Sequence, residues 1–313
     1  MHAIAACQRL LSLSKEKPLV GTVHSVFDHA VNLELGHDGL IGLIAEHKAL
    51  TPYAVLVRTN APFAQTGVRA GMAAYLQDGG FRIPAAGVTI DLCCAKPVDL
   101  SVDSILLHNV SAAKDVLAES ITESLVDADA ENSLAPLVTG GGENTYTRFL
   151  APRLSRFFMM VSAGEWDKAA EAAGDCAGCG MGLTPSSDDL LSGYFLTLHL
   201  LLRAANEPGT QAKIDAMARA AAEKTNRISG TFLLQSGQAL ANSALWDLLD
   251  ASFSTGDDAK TRGAIRRVRD IGSTSGADML TGVVFALRQH NAEDHTGSCW
   301  NFKRTTLIPR CTV

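Results

Sequence analysis

A chain of 313 residues with 47% hydrophobic and 19% charged residues has ample material for a buried core and is not composed like a disordered protein. Its 33 acidic against 27 basic residues leave a formal net charge of -6, so no overall field draws nucleic acid or an anionic membrane. Aromatics are only 6%, so packing is expected to rest on aliphatic side chains, and the length sets two domains as the starting expectation.

The start, "MHAIAACQRLLSLSKEK", has neither a basic leader nor a long apolar core. Seven scattered cysteines, odd in number, form no disulfide framework, and a cytoplasmic location is the expectation. From about Leu19 to Leu100 the texture is strand and turn. Apolar and polar residues alternate at Val31, Leu33 and Leu35, and "GHDG" (36–39) reads as a hairpin-like break. The short runs "YAVLVRT", "GMAAYLQDGGFRI" and "GVTIDLCC" are punctuated by Gly, Pro and Asn. They predict antiparallel pairing in a small barrel- or sandwich-like domain over residues 1–105.

After Ser101 helical periodicity takes over. It predicts helices near 112–128, 145–162, 166–173, 185–205, 210–225, 229–250, 258–270 and 276–290. The fold class is therefore α+β, with a helical domain over 106–290 and an irregular tail over 291–313. The longest apolar stretch, Leu190 to Leu202, is interrupted by Ser192, Gly193, Thr197 and His199 and is too short to span about 30 Å of hydrocarbon, so it reads as a buried helix. In the polar loop before the second helix, Gly140, Gly141 and Gly142 fit either a linker or close approach to a ligand. Arg262, Arg266, Arg267 and Arg269 read first as a solvated face and second as an oligomer contact.

The chemistry concentrates in "GCGMGLTPSSDDLLSG" (178–193). Thr184 is placed as an N-cap and Pro185 at the first helical position, and the helix dipole favours an aspartate in the first turn. That accounts for only part of the string. Eighty-nine residues on, "STSGADMLTG" (273–282) aligns with "TPSSDDLLSG", matching Ser186 to Ser275, Asp189 to Asp278 and Gly193 to Gly282. In each copy Gly lies four residues after Asp, on the same helical face. A glycine-lined crossing would bring the two carboxylates together, and like charges so placed need a cation, a shared proton or a basic side chain. Between the copies, "EKTNRISGTFLLQSGQAL" (223–240) gathers Thr225, Asn226, Arg227 and Ser229 at a helix start, where the Arg227 fork suits a carboxylate or phosphate.

Other signals are discounted. Cys176 and Cys179 form C-x-x-C without the further ligands zinc requires. Neither nucleotide-binding glycine pattern, no H-E-x-x-H and no G-x-S-x-G occurs.

The glycine string, "TNRIS" and "STSGADMLTG", in that order and spacing over roughly 135–290, resemble the bacterial AllH family, subunits of oxamate carbamoyltransferase. Ser187 stands where the family pattern leads one to expect glycine, and Cys179 occupies a variable position. The resemblance implies a multisubunit enzyme interconverting oxalurate plus phosphate with oxamate plus carbamoyl phosphate, in allantoin and purine-nitrogen breakdown. Candidate catalytic residues are then Asp188, Asp189 and Asp278. Candidate substrate-binding residues are Gly180, Gly182, Thr184, Ser186, Asn226, Arg227, Ser229, Ser275 and Gly276. The expected partners are a small anionic substrate and other subunits, with a homo-oligomer left open and nucleic acid and membrane not expected. No cofactor is required by the motifs, and Mg2+ bridging an aspartate to phosphate stays open. So do a non-catalytic assembly role and a stand-alone Mg2+-dependent hydrolase.

Overall fold

A computed structural model describes residues 1–16, 18–36, 39–108 and 110–293. It divides into two compact units, one of residues 1–104 with 241–244 and one holding the rest.

The first unit is built on nine strands: β1 (His2–Cys7), β2 (Leu19–Val26), β3 (Ala30–Glu34), β4 (Ile41–Ala45), β5 (Ala54–Arg58), β6 (Ala73–Gln77), β7 (Gly80–Ile83), β8 (Val88–Asp91) and β9 (Lys96–Val98). A helix, α1 (Gln8–Glu16), follows β1. The sheet order is β8-β7-β6-β2-β3-β4-β5-β1-β9, and the sheet is curled like half a barrel. The alternation in β3 buries Val31 and Leu33 completely and leaves Glu34 outside. Asp78 and Gly79, both at positive φ, close the tight β6–β7 hairpin.

Most pairings are antiparallel, but β4–β5 and β1–β9 are parallel. The β1–β9 pair is separated by most of the unit and β4–β5 by only the eight residues 46–53, and in neither case does local alternation encode the direction of pairing. The β1–α1 segment, read from sequence only as lacking a leader, supplies β1 between β5 and β9. Two residues of the "GHDG" break, His37 and Asp38, lie outside the described residues.

The second unit is helical: α2 (Val110–Ser124), α3 (Pro136–Thr139), α4 (Thr145–Ser162), α5 (Trp166–Cys176), α6 (Ser186–Ala204), α7 (Thr210–Ala222), α8 (Arg227–Gly237), α9 (Ser243–Asp250), α10 (Asp258–Arg269) and α11 (Ser275–Glu293). The single helix expected over 229–250 is two. After α8 the backbone turns at Ala239 (φ 59°), and the N–H groups of Ala241 and Ser243 donate to the carbonyls of Leu100 and Leu50, so the segment cannot continue helical bonding. A π-helical turn, Ala251–Thr255, extends α9. The helix expected to end at 290 runs to Glu293, and the remainder of the expected tail lies outside the described residues.

The centre of this unit is α6, buried on every side from Ser186 to Leu201. It crosses α11 at two glycines. A Cβ on Gly193 would lie 2.1 Å from the Met279 carbonyl oxygen, and one on Gly282 would lie 1.9 Å from that of Leu190. Few aromatics serve the chain, yet several gather here. Tyr194 lies 5.2 Å from Phe157 and 5.1 Å from Phe158, and Phe158 stacks 4.8 Å from Phe285. The Tyr194 hydroxyl donates to Gln289 Oε1 at 2.6 Å, which satisfies a polar atom inside the packing.

Backbone contact this close leaves no room for a methyl. Gly193→Ala and Gly282→Ala should each destabilise the fold by about 3 kcal/mol or more. Gly263→Ala in α10, where the nearest atom is the flexible end of Arg267 at 3.6 Å, should be neutral or stabilising by about 0.5–1 kcal/mol. Urea denaturation of the three variants checks the contrast.

Candidate functional site

The glycine string folds as a loop pinned to the start of α6. Gly178, Gly180 and Gly182 all have positive φ (76°, 138° and 93°). Gly180 is required twice over, because a Cβ there would also sit 2.2 Å from the Ser186 nitrogen. Gly182 is exposed with open space around it. The Cys179 N–H donates to Ser187 Oγ at 2.8 Å, and the Ser187 N–H returns to the Cys179 carbonyl at 2.9 Å. The position where glycine was expected thus carries a hydroxyl that ties the loop down.

Asp188, 1% exposed, is the centre of this tie. Its Oδ1 accepts from the Gly178 N–H at 2.7 Å and from Ser187 Oγ at 3.2 Å. Its Oδ2 accepts from Thr225 Oγ1 at 2.5 Å and Ser229 Oγ at 2.7 Å. Four donors occupy the carboxylate, which therefore joins the loop, α6 and the start of α8. Asn226, not Ser229, caps α8 by accepting from Ile228 and Ser229 N–H, and its amide donates to the Leu183 carbonyl. Arg227 stands exposed at the same helix start.

The second half of the site is the crossing itself. Thr184 does not cap α6, whose N-cap is Pro185 with no side-chain bond. Its hydroxyl instead meets Ser275 Oγ, at the start of α11, at 3.0 Å. Gly276 lets α11 begin tightly against α10, with a Cβ there only 2.0 Å from the Val268 oxygen. Asp189 is 7% exposed and Asp278 fully buried. Asp278 Oδ1 accepts from the Leu134 N–H at 2.6 Å. Each aspartate keeps one buried oxygen, Oδ2, without a hydrogen-bond partner.

The arrangement is reciprocal. Gly193 faces Met279 and Gly282 faces Leu190, pairs related by the same 89-residue offset as the motifs. Likewise the Ser275 hydroxyl acts on Asp189 and the Ser186 hydroxyl acts on Asp278. Each copy of the motif serves the carboxyl of the other.

Burial dominates the protonation of both groups. It pushes Asp189 well above the ordinary aspartate range, against the pull of the Ser275 and Thr184 hydroxyls and with help from the negative charge of Asp278. It raises Asp278 to about 7, opposed by the Leu134 N–H and the Ser186 and Thr274 hydroxyls. Asp278 at this level holds or releases a proton near neutrality, Asp189 is held towards its protonated form, and the open oxygens of both suit an N–H or O–H group.

Among the described residues, no three His, Cys, Asp or Glu side chains gather as a metal site. Asp188 is already committed to four donors, so the donor set fits Mg2+ poorly. Cys176 is buried, which lifts its thiol to about 12, and burial raises Cys179 as well, so the C-x-x-C pair lacks thiolate character. Arg267 pairs with Asp247 at 3.4 Å and Arg269 donates to the Ser124 carbonyl, leaving Arg262 and Arg266 exposed on α10. The Leu134 N–H and Thr274 contribute to the site without having been singled out. A backbone donor leaves no mark in sequence.

The raised carboxyls make stability depend on pH in a definite direction. The folded chain keeps protons that the unfolded chain releases near the usual 3.8. For Asp278, stability is thus full below that value and falls as pH rises towards about 7, by up to about 1.4 kcal/mol per pH unit, and the raised Asp189 adds a dependence of the same sign. Asp278→Asn should flatten that slope relative to the wild type between pH 4 and 7, as measured by urea denaturation across the range.

The family model described as oxamate carbamoyltransferase subunit AllH matches residues 176–287, a span that contains every candidate site residue. The model of the AllH family N-terminal domain matches residues 2–97, nearly the whole strand-built unit. None of the curated proteins and none of the solved structures matches the chain. Among the described residues no helix is long and apolar enough to cross a membrane. With both of its units matched in order, the chain belongs to the AllH family.

Proposed function

We propose that this chain is the substrate-binding and proton-transferring subunit of an oxamate-carbamoyltransferase-like complex, with its small-molecule site at the facing starts of α6 and α11. The observation that carries this reading is the pair of unpartnered, buried Oδ2 atoms on Asp189 and Asp278, held by one doubled motif inside the segment matched to the family. A buried acceptor without a donor is rare enough in a folded protein to call for a reason, and a substrate NH2 group supplies two donors.

The chemistry fits the protonation of the site. In one direction the oxamate nitrogen bonds to the carbamoyl carbon of carbamoyl phosphate, phosphate leaves, and the nitrogen gives up a proton. In the other, a phosphate oxygen attacks the carbamoyl carbon of oxalurate and the departing nitrogen takes a proton back. A carboxyl poised near 7 serves as acceptor in the first and donor in the second. Thr184 and Ser275, half-buried and bonded to each other, form the polar route by which Asp189 is reached. The exposed Arg227 and the helix-start N–H groups favour the anionic ends of the substrates. Asp188 acts here as a positioning residue.

Asp189→Asn and Asp278→Asn, introduced separately into the reconstituted complex, should each lower kcat for carbamoyl transfer by about 100-fold or more with assembly unchanged. Wild-type rates in both would overturn the assignment and leave an assembly role.

A further inference from the structure

We infer that the cleft between α4, α5 and the glycine loop is a binding site for an oxoanion, a carboxylate or phosphate group, with Arg153 as its anchor. The cleft has a volume of about 810 Å3 and is lined by Thr145, Tyr146, Phe149, Arg153, Arg156 and Cys179 among others. It is distinct from the α6–α11 crossing, and the inference does not rest on the proposed function.

The argument begins with spacing. Thr145, Phe149, Arg153 and Arg156 recur every three or four residues, which sets them on one face of α4, while Leu150, Leu154 and Phe157 turn to the core. The two arginines on that face are not equivalent. Arg156 is neutralised twice, by Asp175 at 2.7 Å and Glu171 at 3.2 Å. Arg153 has no carboxylate within ion-pair distance among the described residues. Its guanidinium lies 3.7 Å over the Phe149 ring, and its Nη1 donates to the Phe149 carbonyl at 2.8 Å.

Stacking and that one bond fix the plane of the fork and leave Nε and Nη2 without protein acceptors. A fork held in place before binding loses little side-chain freedom when an anion arrives, and it meets two oxygens of a carboxylate or phosphate at once. The Tyr146 hydroxyl, with no hydrogen-bond partner among the described residues, lines the same cleft and supplies a further donor. The Phe149 ring covers one face of the guanidinium, so an anion meets the fork at its edge.

Cys179 reports on the site directly, because its thiol lines the cleft and is only partly buried, whereas Cys93 and Cys94 are exposed elsewhere. Full-length protein would be treated with iodoacetamide at alkaline pH in the presence of inorganic phosphate or of oxamate, and alkylation read cysteine by cysteine by peptide mass spectrometry. Protection of Cys179 by either anion, with Cys93 and Cys94 unprotected, is expected, and the anion that protects identifies the source. Arg153→Gln should weaken the half-protecting concentration by about tenfold or more, and Tyr146→Phe by a smaller factor, with circular dichroism and melting unchanged. Absence of Cys179 protection in the wild type, or equal protection in Arg153→Gln, would overturn the inference. Both readings come from binding to the chain alone, so either result is separable from the fate of carbamoyl transfer in the Asp189 and Asp278 variants.

Discussion

Two helix backbones that touch at a pair of glycines set the terms for the rest of the helical unit. Gly193 and Gly282 admit the carbonyls of Met279 and Leu190 to distances no side chain allows, and this approach buries the first turns of both α6 and α11. Glycine in a helix interior costs about 1 kcal/mol relative to alanine, so the crossing must return more than that in packing. The ring cluster of Phe157, Phe158, Tyr194 and Phe285 and the complete burial of α6 are where the return is made. The price in polar burial is the desolvation of Asp189 and Asp278.

The asymmetry between the two copies explains the second aspartate of the glycine string. Asp188 has Ala277 at the matching position of the second motif, and only the first copy is preceded by a glycine loop. Four donors converge on Asp188, from the loop, from α6 and from the start of α8. One carboxylate therefore ties three segments together. Asp189, its chain neighbour, faces the crossing instead. Adjacent residues on a helix point about 100° apart, which is how a D-D pair divides between a tie and a candidate reaction centre.

Periodicity carried most of the helical unit, since helices at 145–162 and 186–204 have long amphipathic or apolar patterns. It missed the break between α8 and α9 because the residues there remain apolar and the interruption comes from backbone bonds to Leu100 and Leu50. The alternation of β3 was legible, while the parallel direction of the β4–β5 and β1–β9 pairings is set by tertiary contacts that local alternation does not encode. Within the site, the doubled Ser-x-x-Asp with Gly four residues on pointed to the crossing. It did not separate Asp188 from Asp189, nor show that Thr184 reaches across to Ser275 instead of capping its own helix. Those distinctions are tertiary. The isolation of Arg153 is tertiary too, for in sequence it is one of three arginines on α4, and the pairing of Arg148 with Glu143 and of Arg156 with Asp175 and Glu171 sets it apart.

Charge poses the hardest question for the proposed anion site, because ionised aspartates would repel oxamate, oxalurate and phosphate alike. Burial resolves it. With burial raising Asp278 to about 7 and pushing Asp189 well above the ordinary aspartate range, the pair carries less than its formal two negative charges near neutrality. The helix starts that hold the aspartates keep their own positive ends, which then act on an anion with less opposition from the carboxyls. In the proposed reaction, the same desolvation would let these carboxyls exchange a proton with a substrate nitrogen. Close packing at two glycines, the feature with least chemical character of its own, is thus what would let two buried carboxyls serve the proposed anionic substrate.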